Sequence, residues 1–255
     1  MLFDSRRVTR LDLHLHTPSS DGFGSPKDYV SAIRRAGLDG IVITDHHITS
    51  GLGAGDVKVG RGVPSSVAVE KAVKAAGFVC LRGCEYSSAQ GHILVYGVDI
   101  DSLYLGKWAD MQEVIWRTLD AGGIAFPSHP FQGHSRTLGA RVYGLDGLVA
   151  LEGYNGQCQV RDQASDPDAR ARQAAEDLGL PYIGTSDAHI AYRVGTCYTE
   201  FDGSIRCEQD LIEALRGGAY RRSGQAVHAA LAQAGGRGSA QAAICLIPKL
   251  LCDAV

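Results

Sequence analysis

A closed α/β barrel is the fold class this sequence predicts, and three observations predict it. Apolar runs of strand length alternate with segments of helical period along most of the 255 residues, the pattern of a largely parallel sheet. Seven short stretches set His, Asp or Glu where an apolar run stops: Asp12-Leu13-His14-Leu15-His16, Ser20-Asp21-Gly22, Thr44-Asp45-His46-His47, Cys84-Glu85-Tyr86, Gly91-His92-Ile93, Ser128-His129-Pro130 and Ser186-Asp187-Ala188-His189. Carboxyl ends of strands carry the active sites of barrels and open α/β sheets alike. An open sheet gathers residues only at a switch point, whereas a barrel brings every strand end to one mouth. Seven contributions favour the barrel.

The elements follow in order. Leu11, Leu13 and Leu15 alternate with Asp12, His14 and His16, so 11–16 reads as a strand with both histidines on one side. Ser25 caps the next helix, Pro26 opens it, Tyr29, Val30 and Ile33 form its buried stripe, and Gly37 ends it. Ile41-Val42-Ile43 is the second strand. A glycine-rich loop over 51–62 leads to a helix over 66–76 and a strand over 78–81 ending toward Glu85. Glu85 and His92 flank a turn centred on Ser88-Ala89, and a hairpin there sets them opposite each other. A helix over 108–121 precedes a strand over 124–126 and His129. A strand over 148–151 ends in Glu152, and a helix over 168–178 precedes a strand over 182–184 ending in Asp187 and His189. A strand near 196–198 and a helix over 208–215 close the ordered part. From 223 onward Gly, Ala and Gln show no clear period, so the expected division is a domain over 1–222 and a tail over 223–255 without assigned role.

The formal net charge of −3 gives no global pull toward nucleic acid or anionic membranes, so no extended nucleic-acid surface is expected and phosphate recognition must be local. Seven cysteines with no CxxC pair argue against a disulfide framework or zinc knuckle and fit a reducing cytoplasm. Residues 1–10 carry no apolar signal core. The apolar stretch 242–251 is broken by Pro248 and Lys249 and too short to span a bilayer. The closing residues 252–255 match a prenylation box only formally, because Asp253 stands where an aliphatic residue belongs. A cytoplasmic protein without a membrane partner is expected.

The chemistry follows from residue type and spacing. Histidines at i and i+2 on a strand point the same way and can share one ion, and imidazole with carboxylate suits zinc, manganese or iron. Glu85 has two oxygens and can bridge two ions about 3.5–4 Å apart, the separation in two-metal hydrolytic sites. Asp187 and His189 repeat the i, i+2 arrangement. Such a cluster suits hydrolysis of phosphate esters, a reaction that needs no organic cofactor. Arg136 after His129, and Arg193 after His189, are the candidates for fixed contacts to a phosphate. Asp21 is either a ligand or a turn residue before Gly22. Asp12 and Asp45 either orient imidazoles or make strand-end hydrogen bonds. Glu152 has a supporting role, His47 alternates away from His46, His134 and His228 are non-ligands, and Cys84 packs in the core.

Asp12-Leu13-His14-Leu15-His16 with Ser20-Asp21-Gly22, then Ile43-Thr44-Asp45-His46, Gly83-Cys84-Glu85, His92, Ser128-His129-Pro130 and Ser186-Asp187-Ala188-His189 resemble the PHP (polymerase and histidinol phosphatase) superfamily, in the family's order over about residues 8–200. The resemblance implies a distorted (β/α)7 barrel whose strand ends hold two or three divalent ions. One ion would take His14, His16, Glu85 and Asp187, a second Glu85, His92 and His129, and a third Asp21, His46 and His189. Some relatives have histidine in place of Asp21, which alters the third site. The implied activity is a phosphoesterase using metal-activated water, with His14, His16, Glu85, His129 and Asp187 as catalytic residues. The short Ser-Asp-Gly form resembles small stand-alone members acting on a nucleotide or short oligonucleotide. Histidinol phosphate is the alternative substrate. An amidohydrolase would place a lysine at a strand end, and Lys27, Lys58, Lys71, Lys74, Lys107 and Lys249 all lie elsewhere. A binding or regulatory domain that had lost activity would also have lost ligands, and every expected position carries a competent group.

Overall fold

Alternating strands and helices do form, in a mixed rather than parallel arrangement. The computed structural model describes residues 8–47, 65–133, 137–158, 166–218 and 220–223. Strand β1 (Val8–Asp12) lies between β2 (Gly40–Ile43) and β8 (Tyr198–Asp202) in a seven-stranded sheet. Beyond β2 come β3 (Val79–Ser88), β4 (Gly91–Tyr96) and β5 (Ile124–Pro127), and beyond β8 comes β9 (Tyr220–Ser223). Strands β6 (Leu151–Asn155) and β7 (Tyr182–Thr185) form a separate parallel pair.

Pairing is parallel along β1–β2–β3 and antiparallel at β3/β4, β4/β5, β1/β8 and β8/β9. The expected parallel sheet fails at β4 because only Ala89 and Gln90 separate Ser88 from its ladder partner Gly91, and so short a link permits only an antiparallel return. Reversing twice, β5 runs in the direction of β3. An isolated parallel bridge, Leu15 to Ala188, aligns the end of β7 with that of β1. The strand ends that carry the polar residues therefore open on the same side of a curled sheet.

Five α-helices are described: α1 (Pro26–Ala36), α2 (Ser65–Ala75), α3 (Met111–Asp120), α4 (Pro167–Asp177) and α5 (Glu208–Gly217). At α1 the Asp28 carboxylate accepts from both the amide and the hydroxyl of Ser25, and Gly37 closes the helix at φ 66°. Ala32, not Val30, completes the buried stripe with Tyr29 and Ile33. Helix α3 starts three residues later than the sequence suggests. Trp108 has φ 58°, and Asp110 caps the helix by accepting from the Gln112 amide at 2.9 Å.

Three strand boundaries also move. Glu85 and Glu152 lie inside β3 and β6 rather than after them, and β8 starts at Tyr198, where it pairs with β1. One core gathers Leu11, Leu13, Val42, Phe126 and Ile183 with Leu211 and Leu215 of α5. A second packs Leu15 and Ile41 against Tyr29 and Ile33 of α1. Together they leave the polar strand ends as the buried floor of a mouth. No helix among the described residues is long and apolar enough to cross a membrane. The unit described ends at Ser223; residues 224–255, which make up nearly all of the expected tail, lie outside the described residues.

Candidate metal centre

Four of the seven stretches reach the mouth along continuations of β1, β2, β5 and β7, Glu85 and His92 lie within β3 and β4, and the Ser20-Asp21-Gly22 loop supplies the seventh. The β1 ladder stops at Asp12, but 13–16 stay extended, with the His16 amide donating to Ala188 O at 3.0 Å. Tyr96 Oη donates to Leu13 O at 2.9 Å and Tyr29 Oη to His16 O at 2.8 Å, pinning this stretch from β4 and α1. His46 bridges to Glu85 beyond the end of β2. Within the β3/β4 hairpin Ser87 faces His92 and Glu85 faces Leu94. The expected Glu85–His92 pairing is thus off by two residues. Residues i and i+2 of a strand share a face, so the two still meet diagonally, His92 Nδ1 lying 3.2 Å from Glu85 Oε1. His129 (φ 28°) and Asp187 (φ 48°) sit in the left-handed region just past β5 and β7, a strained conformation typical of functional positions.

All nine candidate metal residues come together around Glu85 and Asp187. His14 Nε2 and His16 Nε2 are 3.2 Å apart. Each lies 3.4 Å from Glu85 Oε2, and they lie 3.5 Å and 3.3 Å from Asp187 Oδ1. Neighbouring ligands of an ion bound at about 2.0–2.2 Å sit roughly 3–3.5 Å apart, so this spacing suits one ion. Glu85 Oε1 turns the other way, toward His92 and, at 3.1 Å, His129 Nε2. Asp21 Oδ2 meets His189 Nε2 at 3.1 Å and His46 Nε2 at 3.5 Å, with His16 Nδ1 3.6 Å from Asp21 Oδ1. His46 Nδ1 lies 3.1 Å from Glu85 Oε2, so this ring faces both the Glu85 and the Asp21 groups.

The buried carboxylates and imidazoles shift one another's titration. Burial pushes Glu85 up, yet the charges of His92, His14 and His46 outweigh it and hold the carboxyl well below its ordinary value. Asp187 behaves likewise, with His14 and His16 overcoming burial. Burial, reinforced by His189 and His46, drives His16 down to about 3, which leaves a neutral imidazole. Burial also lowers His14, but Asp187, Glu85 and Glu152 raise it well above its usual value. Four buried polar atoms here, His16 Nδ1, His46 Nδ1, His92 Nδ1 and Asp187 Oδ1, have no hydrogen-bond partner. Orphaned buried groups are rare unless an ion or water completes them, and this donor set suits a divalent cation.

Supporting residues surround the cluster: Glu152 has the supporting role expected of it, while Thr185, Asn155 and Ser128 carry no signal of their own in the sequence. Glu152 Oε1 holds His14 Nδ1 at 2.9 Å, which presents Nε2 to the cluster, and the Thr185 hydroxyl donates to the same oxygen. Asn155 Nδ2 donates to both Glu152 Oε2 and Asp187 Oδ2 at 3.0 Å. The Ser128 hydroxyl donates to Glu85 Oε1 at 2.7 Å. Of the two readings left open for Asp12 and Asp45, hydrogen bonding to the chain is the one observed. Asp12 accepts from the amides of Ser186 (3.0 Å) and Gly195 (2.8 Å), and Asp45 from Thr17 and Ser20.

His47 points to Asp101, 2.8 Å away. Burial pushes the Cys84 thiol well up, which suits packing and not nucleophilic attack. Arg193 donates from Nη2 to Gly156 O at 2.9 Å. Arg136, His134, His228 and the 51–62 loop lie outside the described residues.

Comparison with known proteins bears on the family and the fold. An uncharacterized protein of Methanocaldococcus jannaschii is 25% identical over 157 residues, covering 57% of this chain and 81% of the relative. A two-domain protein of Bacteroides vulgatus containing a predicted PHP-like metal-dependent phosphoesterase superposes with a TM-score of 0.64 at 22% identity. The match covers 86% of this chain but only 66% of that protein. The lesion-specific endonuclease PfuEndoQ of Pyrococcus furiosus superposes with a TM-score of 0.54 at 16% identity, over 85% of this chain and 58% of its own. At these identities the two structures speak to the fold alone. The PHP domain model matches residues 12–151 and the PHP-associated model residues 168–220, which together span the strands and loops carrying the cluster, and this chain belongs to the PHP family.

Proposed function

We propose that this chain is a metal-dependent phosphoesterase acting on a nucleotide or short oligonucleotide, with up to three ions of zinc, manganese or iron at the mouth of a distorted (β/α)7 barrel. Glu85 carries this reading. It is a buried carboxylate whose two oxygens face different sets of imidazoles, the arrangement a bridge between two ions requires. The ligand sets are His14, His16, Glu85 and Asp187; Glu85, His92 and His129; and Asp21, His46 and His189. Barrel closure is supported by contacts of β5 with β6 and of β7 with β8.

Ions bound here supply Lewis acidity toward phosphoryl oxygens and lower the pKa of water. The protein's own residues do the positioning. Glu152 fixes the His14 ring, Asn155 orients Asp187, and the neutral His16 leaves a lone pair free. His129 stands at the edge of the floor, 10% exposed, between the buried groups and the solvent from which a substrate arrives. A nucleotide-bearing substrate is supported by the endonuclease that shares this fold. With Glu85 in the bridging place, no lysine is needed there, which weighs against an amidohydrolase.

Metal analysis of the purified protein, with phosphate release measured on adenosine monophosphate, bisphosphorylated nucleotides, short RNA and histidinol phosphate, tests both activity and substrate. His129→Ala is expected to lower turnover on the order of 100-fold or more while the circular dichroism spectrum stays unchanged. Undiminished hydrolysis by this variant removes the mechanism.

A further inference from the structure

Ser128 bonds the side chain of Glu85 and the backbone of His92 and directly precedes His129, the three residues assigned above to the second ion. Its buried hydroxyl donates to Glu85 Oε1 at 2.7 Å, and its amide donates to His92 O at 3.2 Å. The next residue is His129. The oxygen that Ser128 holds is the one facing His92 and His129, while the other faces His14, His16 and His46. The terminal torsion of a glutamate is broad and nearly two-fold, so nothing within the side chain keeps its oxygens pointing at different ions. A hydroxyl anchored to one of them does. A carboxylate oxygen has two lone pairs, so Oε1 can accept from Ser128 and still face an ion.

We propose that Ser128 is a positioning residue that locks Glu85 in its bridging orientation and so determines whether the site of Glu85, His92 and His129 fills. This rests on the metal-dependent reading above. Without the hydroxyl, Glu85 turns both oxygens toward the ion held by His14, His16 and Asp187, and the second site is left with two imidazoles. The first site keeps all four of its ligands, so the loss is selective. The fold has little to lose from Ser128→Ala, because the amide of residue 128 still donates to His92 O.

The test compares wild type, Ser128→Ala and Ser128→Thr, each titrated with Mn²⁺. Bound ions per chain are counted, and spin coupling between neighbouring ions is read by electron paramagnetic resonance. The alanine variant is expected to bind its second ion about 10–100-fold more weakly, with the first unchanged and the coupled signal lost. Threonine, which keeps the hydroxyl, is expected to restore both. An alanine variant with wild-type affinity for the second ion and an intact coupled signal overturns the proposal. A wild-type chain that takes up no ion refutes the metal-dependent reading instead.

Discussion

His189 and Asp21 form the most exposed pair of the cluster, with side chains 25% and 31% accessible, and they show what a proton does where an ion would sit. Burial pushes His189 down, but the hydrogen bond it donates to Asp21 and the charges of Asp187 and Asp21 raise it to about 9. In the metal-free protein the pair therefore contributes its full stability below the unfolded imidazole value of about 6.5. That contribution is lost as pH rises toward 9. Ion binding displaces the proton, so metal affinity runs the other way and rises with pH. Chelated protein is thus expected to show a Tm that falls between pH 6.5 and 9, and Asp21→Asn is expected to flatten the fall; a Tm that is flat in wild type contradicts the ion pair. His189 was readable because an imidazole at the end of an apolar run is a local signal. Glu152 was readable as a supporting residue but its partner His14, 138 residues away, was not, and Asn155 and Ser128 went unread because each acts only through hydrogen bonds to distant residues.

Elements bring these residues together only where backbones approach closely, and β2 depends on one such approach. Gly40 pairs with Val79 of β3, and a Cβ at Gly40 would lie 2.2 Å from Val79 O and 2.6 Å from its side chain. The carbonyl belongs to the ladder and cannot swing away, so the strands must separate. Gly40→Val is expected to destabilise the protein by about 1–3 kcal/mol or more. A denaturant midpoint matching wild type would show that β2 and β3 pair differently. The sequence made the strands visible through their apolar runs, but not their partners. Ile41-Val42-Ile43 reads equally well in a parallel or a mixed sheet. The direction of β4 is set by a two-residue turn, and the two-residue error in its register came from centring that turn on Ser88-Ala89 instead of Ala89-Gln90. Trp108, which fits a helical pattern, is excluded from α3 by its left-handed backbone.

Across the whole molecule the centre is a buried polar floor that the apolar cores cannot stabilise by themselves. His14 and His16 are fully buried and Glu85 is 1% exposed, so their charges lack solvent and depend on one another. An ion binds the folded arrangement far better than the scattered ligands of the unfolded chain, and its binding energy becomes folding stability. At a free ion concentration 1,000-fold above Kd this contributes about 4 kcal/mol. For a protein of this size such a loss lowers Tm by roughly 10 °C. Exposure is graded across the clusters, from the enclosed His14–His16–Glu85 group to the open His189–Asp21 group. Chelation is therefore expected to proceed in two steps. The exposed ion leaves first, and the phosphate release proposed above declines with little change in Tm. The ion enclosed by His14, His16 and Glu85 leaves last, and the large drop in Tm follows its release. Metal content, activity and Tm followed together during dialysis against a chelator test this order. A Tm that falls with the first ion released would mean that the open cluster, and not the enclosed floor around Glu85, stabilises the fold.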